Sequence, residues 1–182
     1  MDSNFNVPRS TNARPVVGAK PRLLVISYSW KTTVLSVYKL HMSKNGLTIS
    51  LNEVLFYFTR AGFGVNASIG VSEDFARSNI WIAQNGFDPS ECSLLALDNL
   101  DSQTSSLSIQ FEKTGDGSHL FCPEDKVLSA IEASVSCVDW LEFNGLDGDL
   151  KLTNVDSPLL VVSALGSNQC TGIQVSWTDK SN

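Results

Sequence analysis

Histidine is scarce in this chain: His41 and His119 are the only two among 182 residues. A His-rich metal site is therefore excluded, and a Ser-His-Asp triad would have to use one of the pair. His41 lies between Leu40 and Met42 in an expected strand, and His119 follows a Gly-Asp-Gly turn. Both are expected at a surface or an interface. Cysteine is thinly spread, at Cys92, Cys122, Cys137 and Cys170, with no C-x-x-C pair. Zinc-type spacing is absent. The stretch Gly62-Phe63-Gly64 does not continue to a nucleotide fingerprint. No set of nucleophile, base and orienting group can be named, so an enzyme is not expected.

Long apolar runs are missing too. The opening MDSNFNVPRS has no apolar core and does not read as a signal peptide. No run approaches the roughly 18 residues that a membrane helix needs. These absences imply an intracellular protein with four reduced thiols in its core and no membrane partner. Asn66-Ala67-Ser68 matches a glycosylation sequon, which carries no weight without a secretion signal.

Charge is sparse, at 18% of residues, and uneven. Residues 1–44 hold seven basic side chains against Asp2 alone, whereas the other 138 residues hold 6 basic and 18 acidic ones. Such asymmetry suggests that the basic end meets a polyanion or an acidic neighbour. A chain of this length can bury about 70% of its unfolded surface without staples. One domain is expected over residues 22–182, preceded by an extended, mildly basic arm over 1–21 that carries Pro8, Pro15 and Pro21.

The local patterns read mostly as strands. Leu23–Ile26 and Thr33–Met42 are the first two, and Asn45-Gly46 follows as a hairpin turn. Asn52–Phe58 is ambiguous between strand and short helix. Phe63–Val71 and Asn79–Ala83 read as strands, the former punctuated by glycines that suggest a bulge or a close backbone approach. Asp88, Pro89 and Glu91 spell a capped helix start, giving a short helix over Pro89–Leu97. Leu107, Ile109 and Phe111 alternate with polar residues. Pro123-Glu124-Asp125 opens a second helical candidate, with Val127, Leu128 and Ile131 on one face. Ser134–Phe143 and Leu150–Thr153 return to strand. Ser157–Lys180 closes the chain as an expected hairpin: an apolar strand over Leu159–Leu165, a turn, then Ile173, Val175 and Trp177 alternating with polar residues. Eight to ten strands with two helical turns predict an all-β protein, a jelly-roll sandwich with short helices in its connections.

Few residues stand out as ligands. Asn144, Asp147 and Asp149 carry oxygens around Gly145 and Gly148 and are weak candidates for a hard cation. Asp98, Asp101 and Glu112 form a looser acidic set. Trp30, Trp81, Trp140 and Trp177 all fall on expected strands, where packing competes with a platform for bases or sugars.

The basic arm, the acidic body and the closing VDSPLLVVSALGSNQCTGIQVSWT together resemble the coat proteins of small icosahedral RNA viruses of plants, the tymovirus group above all. Asp156, Pro158, Leu159 and Leu160 sit in places comparable to that family's entry to its last strands. The resemblance implies a capsid protein, found in the virion and the host cytoplasm. It would assemble with copies of itself into a shell around RNA. Arg9, Arg14, Lys20 and Arg22 would neutralise phosphates on the inner side without reading sequence. No cofactor is implied, but polyamines or divalent cations would have to contribute to charge balance. Alternatives are a lectin-like β-sandwich using Trp81 or Trp140, and a viral movement or silencing-suppressor protein that binds RNA.

Overall fold

The computed structural model describes residues 3–6, 22–28, 49–115, 117–124, 126–144, 148–170 and 172–179, with 3–6, 22–28 and 177–179 described by backbone alone. Among these residues the chain runs β1 (Ser3–Asn6), β2 (Arg22–Tyr28), α1 (Leu51–Gly64), α2 (Ile69–Gln84), α3 (Ser90–Asp101), β3 (Ser105–Ser106), β4 (Gln110–Thr114), β5 (Gly117–Phe121), β6 (Val127–Leu128), α4 (Ala130–Asn144), β7 (Asp149–Thr153), α5 (Pro158–Ser167) and β8 (Ile173–Asp179). The expected all-β jelly roll is thus overturned: this is a mixed α/β protein with five helices.

Six strands form one sheet in the order β1-β8-β2-β7-β5-β4, and β3 pairs with β6 in a separate two-stranded sheet. Strands β8, β2, β7 and β5 run parallel to one another, while β1 and β4 lie antiparallel at the two edges. Parallel neighbours need crossover connections. Helix α4 lies in the path from β5 to β7, and α5 in the path from β7 to β8.

The largest corrections fall where an apolar run is a buried helix. Leu159–Leu165, expected as a strand, belongs to α5, so it does not form the expected hairpin with β8, which pairs with β1 and β2 instead. Pro158 occupies the first turn of that helix, where its missing N–H costs nothing. The run is apolar all round because α5 is wrapped on all sides: Leu160 through Leu165 are all buried. Ser134–Phe143 is likewise the body of α4, not a strand. Its buried Ala130, Ala133, Ser134, Cys137, Val138 and Leu141 recur at three- and four-residue spacing. Helix α2 absorbs the expected strand Asn79–Ala83, burying Ser72, Phe75, Ala76, Asn79 and Ile82 with the same period.

Phe63–Val71 is no strand either; it spans the end of α1, the turn and the start of α2, with Asn66 in the left-handed region at φ 67°. The close approach that its glycines suggest is real at Gly62. A Cβ there would stand 3.0 Å from Ser72 Oγ on α2. The second helical candidate begins later than expected: Val127 and Leu128 form β6, and the helix opens at Ala130. The helix near Pro89 is present as α3, although Asp88 acts through an Asx contact, accepting from Ser90 N at 2.9 Å, rather than through a capping box. Strands at Leu23–Ile26, Leu150–Thr153 and Ile173–Trp177 are present as β2, β7 and β8. The expected strand Thr33–Met42 and its Asn45-Gly46 turn lie outside the described residues. Of the expected arm, residues 3–6 form β1.

The core sits on one face of the sheet. Ser118, Leu120, Leu150, Leu152, Ile173 and Val175 are buried on that side, and the apolar ones join residues of α2, α4 and α5 in one cluster. Alternate strand positions point the other way. There Lys151 is exposed, and His119, Phe121, Thr153, Gln174 and Ser176 are half-buried.

Candidate binding groove beside the edge strand

Helix α4 ends beside β4, and between them runs an open groove of about 770 Å³. Ile109, Phe111 and Leu120 form its sheet-side wall, and Trp140 and Phe143 its helix-side wall, with Asp139 and Glu142 on the rim. The periodicity of α4 explains the arrangement. Trp140 turns inward with Cys137 and Leu141, whereas Asp139, Glu142 and Phe143 fall on the outward arc. Phe111 is 52% exposed and Phe143 is 91% exposed. At its base Trp140 is only 7% exposed, and its indole Nε1–H has no hydrogen-bond partner. A buried donor left unpaired costs about 1–3 kcal/mol.

Two further features set the character of the groove. Strand β4 ends the sheet, paired only with β5, so every second residue turns its backbone N–H and C=O outward. The last turn of α4 carries Glu142 and no basic residue, so its carbonyl ends and the Asp139 and Glu142 carboxylates point negative charge at the same opening.

Two other polar constellations stand out among the described residues. Asp156 is 6% exposed and caps α4 from a distance: its Oδ1 accepts from Ala130 N at 2.8 Å. Burial pushes its carboxyl up to about 7, against the smaller opposing pull of the Ala130 amide and of nearby Ser105 and Asn99. Although Ser105 and Asn99 bear on its charge, Oδ2 meets no donor in hydrogen-bond geometry, and the Ser105 hydroxyl is unpaired as well. Beside it Ser157 Oγ donates to Cys92 O at 2.8 Å, joining α5 to α3. Burial raises the Cys92 thiol to about 11. It therefore stays a thiol at neutral pH and is no nucleophile.

On the open sheet face, Glu112, His119 and Lys151 stand in one row across β4, β5 and β7. The His119 ring stacks on Phe121 with centroids 4.9 Å apart, and its Nε2 pairs with Thr153 Oγ1. Desolvation, and then Lys151, lower the imidazole pKa, partly offset by Glu112. The ring is thus neutral near pH 7. Glu112 acts on it through space, so the row lacks the hydrogen-bonded orienting group of a triad.

Other expected sites fare differently. Arg9, Arg14, Lys20, His41 and Asp147 lie outside the described residues, and Arg22 opens β2 opposite Ile173. Asn144 spends its amide on Trp140 O at 2.9 Å, and Asp149 begins β7. Among the described residues no group of three or more His, Cys, Asp or Glu side chains could hold a metal ion. No helix there is long and apolar enough to cross a membrane. Trp81 and Trp140 are on helices, not on the strands expected for them, while Trp177 is on β8. Cys92, Cys122 and Cys137 are buried free thiols and Cys170 is a half-buried one. The groove escapes sequence reading because Ser134–Phe143 reads as a strand, which scatters Asp139, Trp140 and Phe143. The i, i+3, i+4, i+7 spacing of Ser136, Asp139, Trp140 and Phe143 is the available signal. No protein-family model, no curated protein and no solved structure matches this chain.

Proposed function

We propose that the protein is a binding module that captures an extended, basic peptide segment in the groove between β4 and α4. The aromatic groove of Phe111, Trp140 and Phe143, rimmed by Asp139 and Glu142 and next to an open strand edge, carries this reading. A peptide strand would add to β4 through main-chain hydrogen bonds. One apolar side chain would sit between Phe111 and Phe143, over the Trp140 side chain. A Lys or Arg next to it would meet Asp139, Glu142 and the negative end of α4, with cation–π contact to the aromatic rings as added support. Coat-protein assembly draws no support from residues 156–177, because the two strands on which that resemblance rested are a helix and a strand.

The test is a fluorescence-anisotropy titration of a labelled peptide alternating Lys with Val and Leu, against one alternating Glu with the same residues. The basic peptide is expected to saturate at about 1–100 µM. Its binding should shift the Trp140 indole N–H resonance and weaken at least tenfold in Phe143→Ser or Glu142→Lys. Equal binding of both peptides, or an unmoved Trp140 resonance, overturns the proposal.

A further inference from the structure

Helix α1 turns three aromatic side chains to solvent. Phe56, Tyr57 and Phe63 are 52%, 58% and 62% exposed. At 100° per residue they share one stripe with Glu53 and Arg60, while Val54 and Gly62 on the far side are buried. At 150–250 Å² per aromatic side chain, the three rings expose roughly 350 Å². That is close to half of what one partner contributes to a stable dimer. Isolated exposed apolar residues need no explanation, but a contiguous aromatic stripe on one helix marks an interaction surface.

The charges on that stripe select the partner. It holds one acid and one base, and Glu53 and Arg60 lie equally far from the Phe56–Tyr57 step, on opposite sides. We propose that α1 pairs with α1 of a second copy, antiparallel across a two-fold axis at that step. Phe56 then faces Tyr57 of the other copy, and each Glu53 faces the opposing Arg60. Two-fold pairing makes the contact self-complementary, and antiparallel axes bring opposite helix ends together. The stripe is also held ready. The Arg60 guanidinium lies 4.5 Å from the Phe56 ring centroid. Glu53 Oε2 accepts from Ser50 N at 2.6 Å and from Ser50 Oγ at 2.8 Å, fixing the carboxylate at the helix start. A carboxylate has about four acceptor sites, so the remainder can meet Arg60 of the other copy. This inference is independent of the groove, which lies on α4 and β4.

The experiment uses the full chain with Arg60→Glu, Glu53→Arg and Phe56→Ser/Phe63→Ser, each checked for helix content by circular dichroism. Sedimentation should find the parent in monomer–dimer exchange at about 1–100 µM. The aromatic double variant should dimerise at least tenfold more weakly. Arg60→Glu and Glu53→Arg should each dimerise poorly alone, because like charges then face each other at both ends of the pair. Mixed together, the two single-charge variants should form a heterodimer, since both facing pairs are again opposite in sign. Glu53→Arg loses its contact with Ser50, but recovery on mixing separates that loss from the pairing. A parent that stays monomeric at several hundred micromolar overturns the inference. So does a dimer indifferent to these changes, or one in which mixing restores nothing.

Discussion

Gly166 of α5 lies directly against the indole of Trp81 on α2, with no room for a Cβ between them. In an exposed helix, Gly→Ala gains up to about 1 kcal/mol. Here the added methyl would overlap the ring, and overpacking costs about 1–3 kcal/mol. Gly166→Ala should therefore lower the urea midpoint, with a net loss on the order of 1 kcal/mol. In a Trp81→Leu background the same change should become neutral or stabilising.

Asp156 makes stability depend on pH in an uncommon direction for a carboxylate. Its folded-state pKa, raised to about 7, stands above the unfolded value near 4. The contribution to stability is complete below the unfolded value and is lost as pH rises through about 7. Asp156→Asn keeps an acceptor for Ala130 N and carries no charge. Its stability should be flatter between about pH 4 and pH 8 and should equal or exceed the parent's at the upper end. Asp156→Ala removes the cap and should cost about 1–2 kcal/mol near pH 4, and less as pH rises through about 7. Chemical denaturation across that range reads both.

His119 should titrate below the ordinary histidine range, as NMR of its ring protons will show. Lys151→Gln should raise its pKa and Glu112→Gln should lower it, following the charges across the strands. With its folded value depressed, the neutral ring's share of stability is complete above the unfolded pKa. That share fades as pH falls through the folded one.

Trp140→Phe separates packing from binding. It shrinks a core side chain yet removes an orphaned donor. Its cost should stay below the 3–5 kcal/mol or so typical of Trp→Ala. Capture of the basic peptide should nevertheless weaken severalfold by anisotropy, because the groove loses part of its aromatic lining.

How far the sequence revealed this fold depends on who covers each segment. Strands β7 and β8 were legible because one face stays wet: Lys151, Gln174 and Ser176 interrupt the buried Leu150, Leu152, Ile173 and Val175. Helix α5 was not, because enclosure on every side erases periodicity, and a seven-residue run broken only by Ser163 fits a central strand as well. Pro158 was the better clue, being at home in a helix's first turn. Helix α4 was legible in principle, since its buried set keeps helical spacing; Ser134 and Ser136, alternating with Val135 and Cys137, made it look amphipathic at period two. The groove followed the fate of α4, and the Glu112–His119–Lys151 row needed a register that no single segment contains.

The placement of β8 bears on how the molecule is made. Among the described strands, β8 is made after the others yet inserts between β1 and β2. Until it arrives, β2 lacks its β8 neighbour and β1 lacks its described partner. The growing chain must hold this seam open through the synthesis of the five described helices. A frameshift after α5 would thus leave a sheet missing an interior strand rather than a trimmed end.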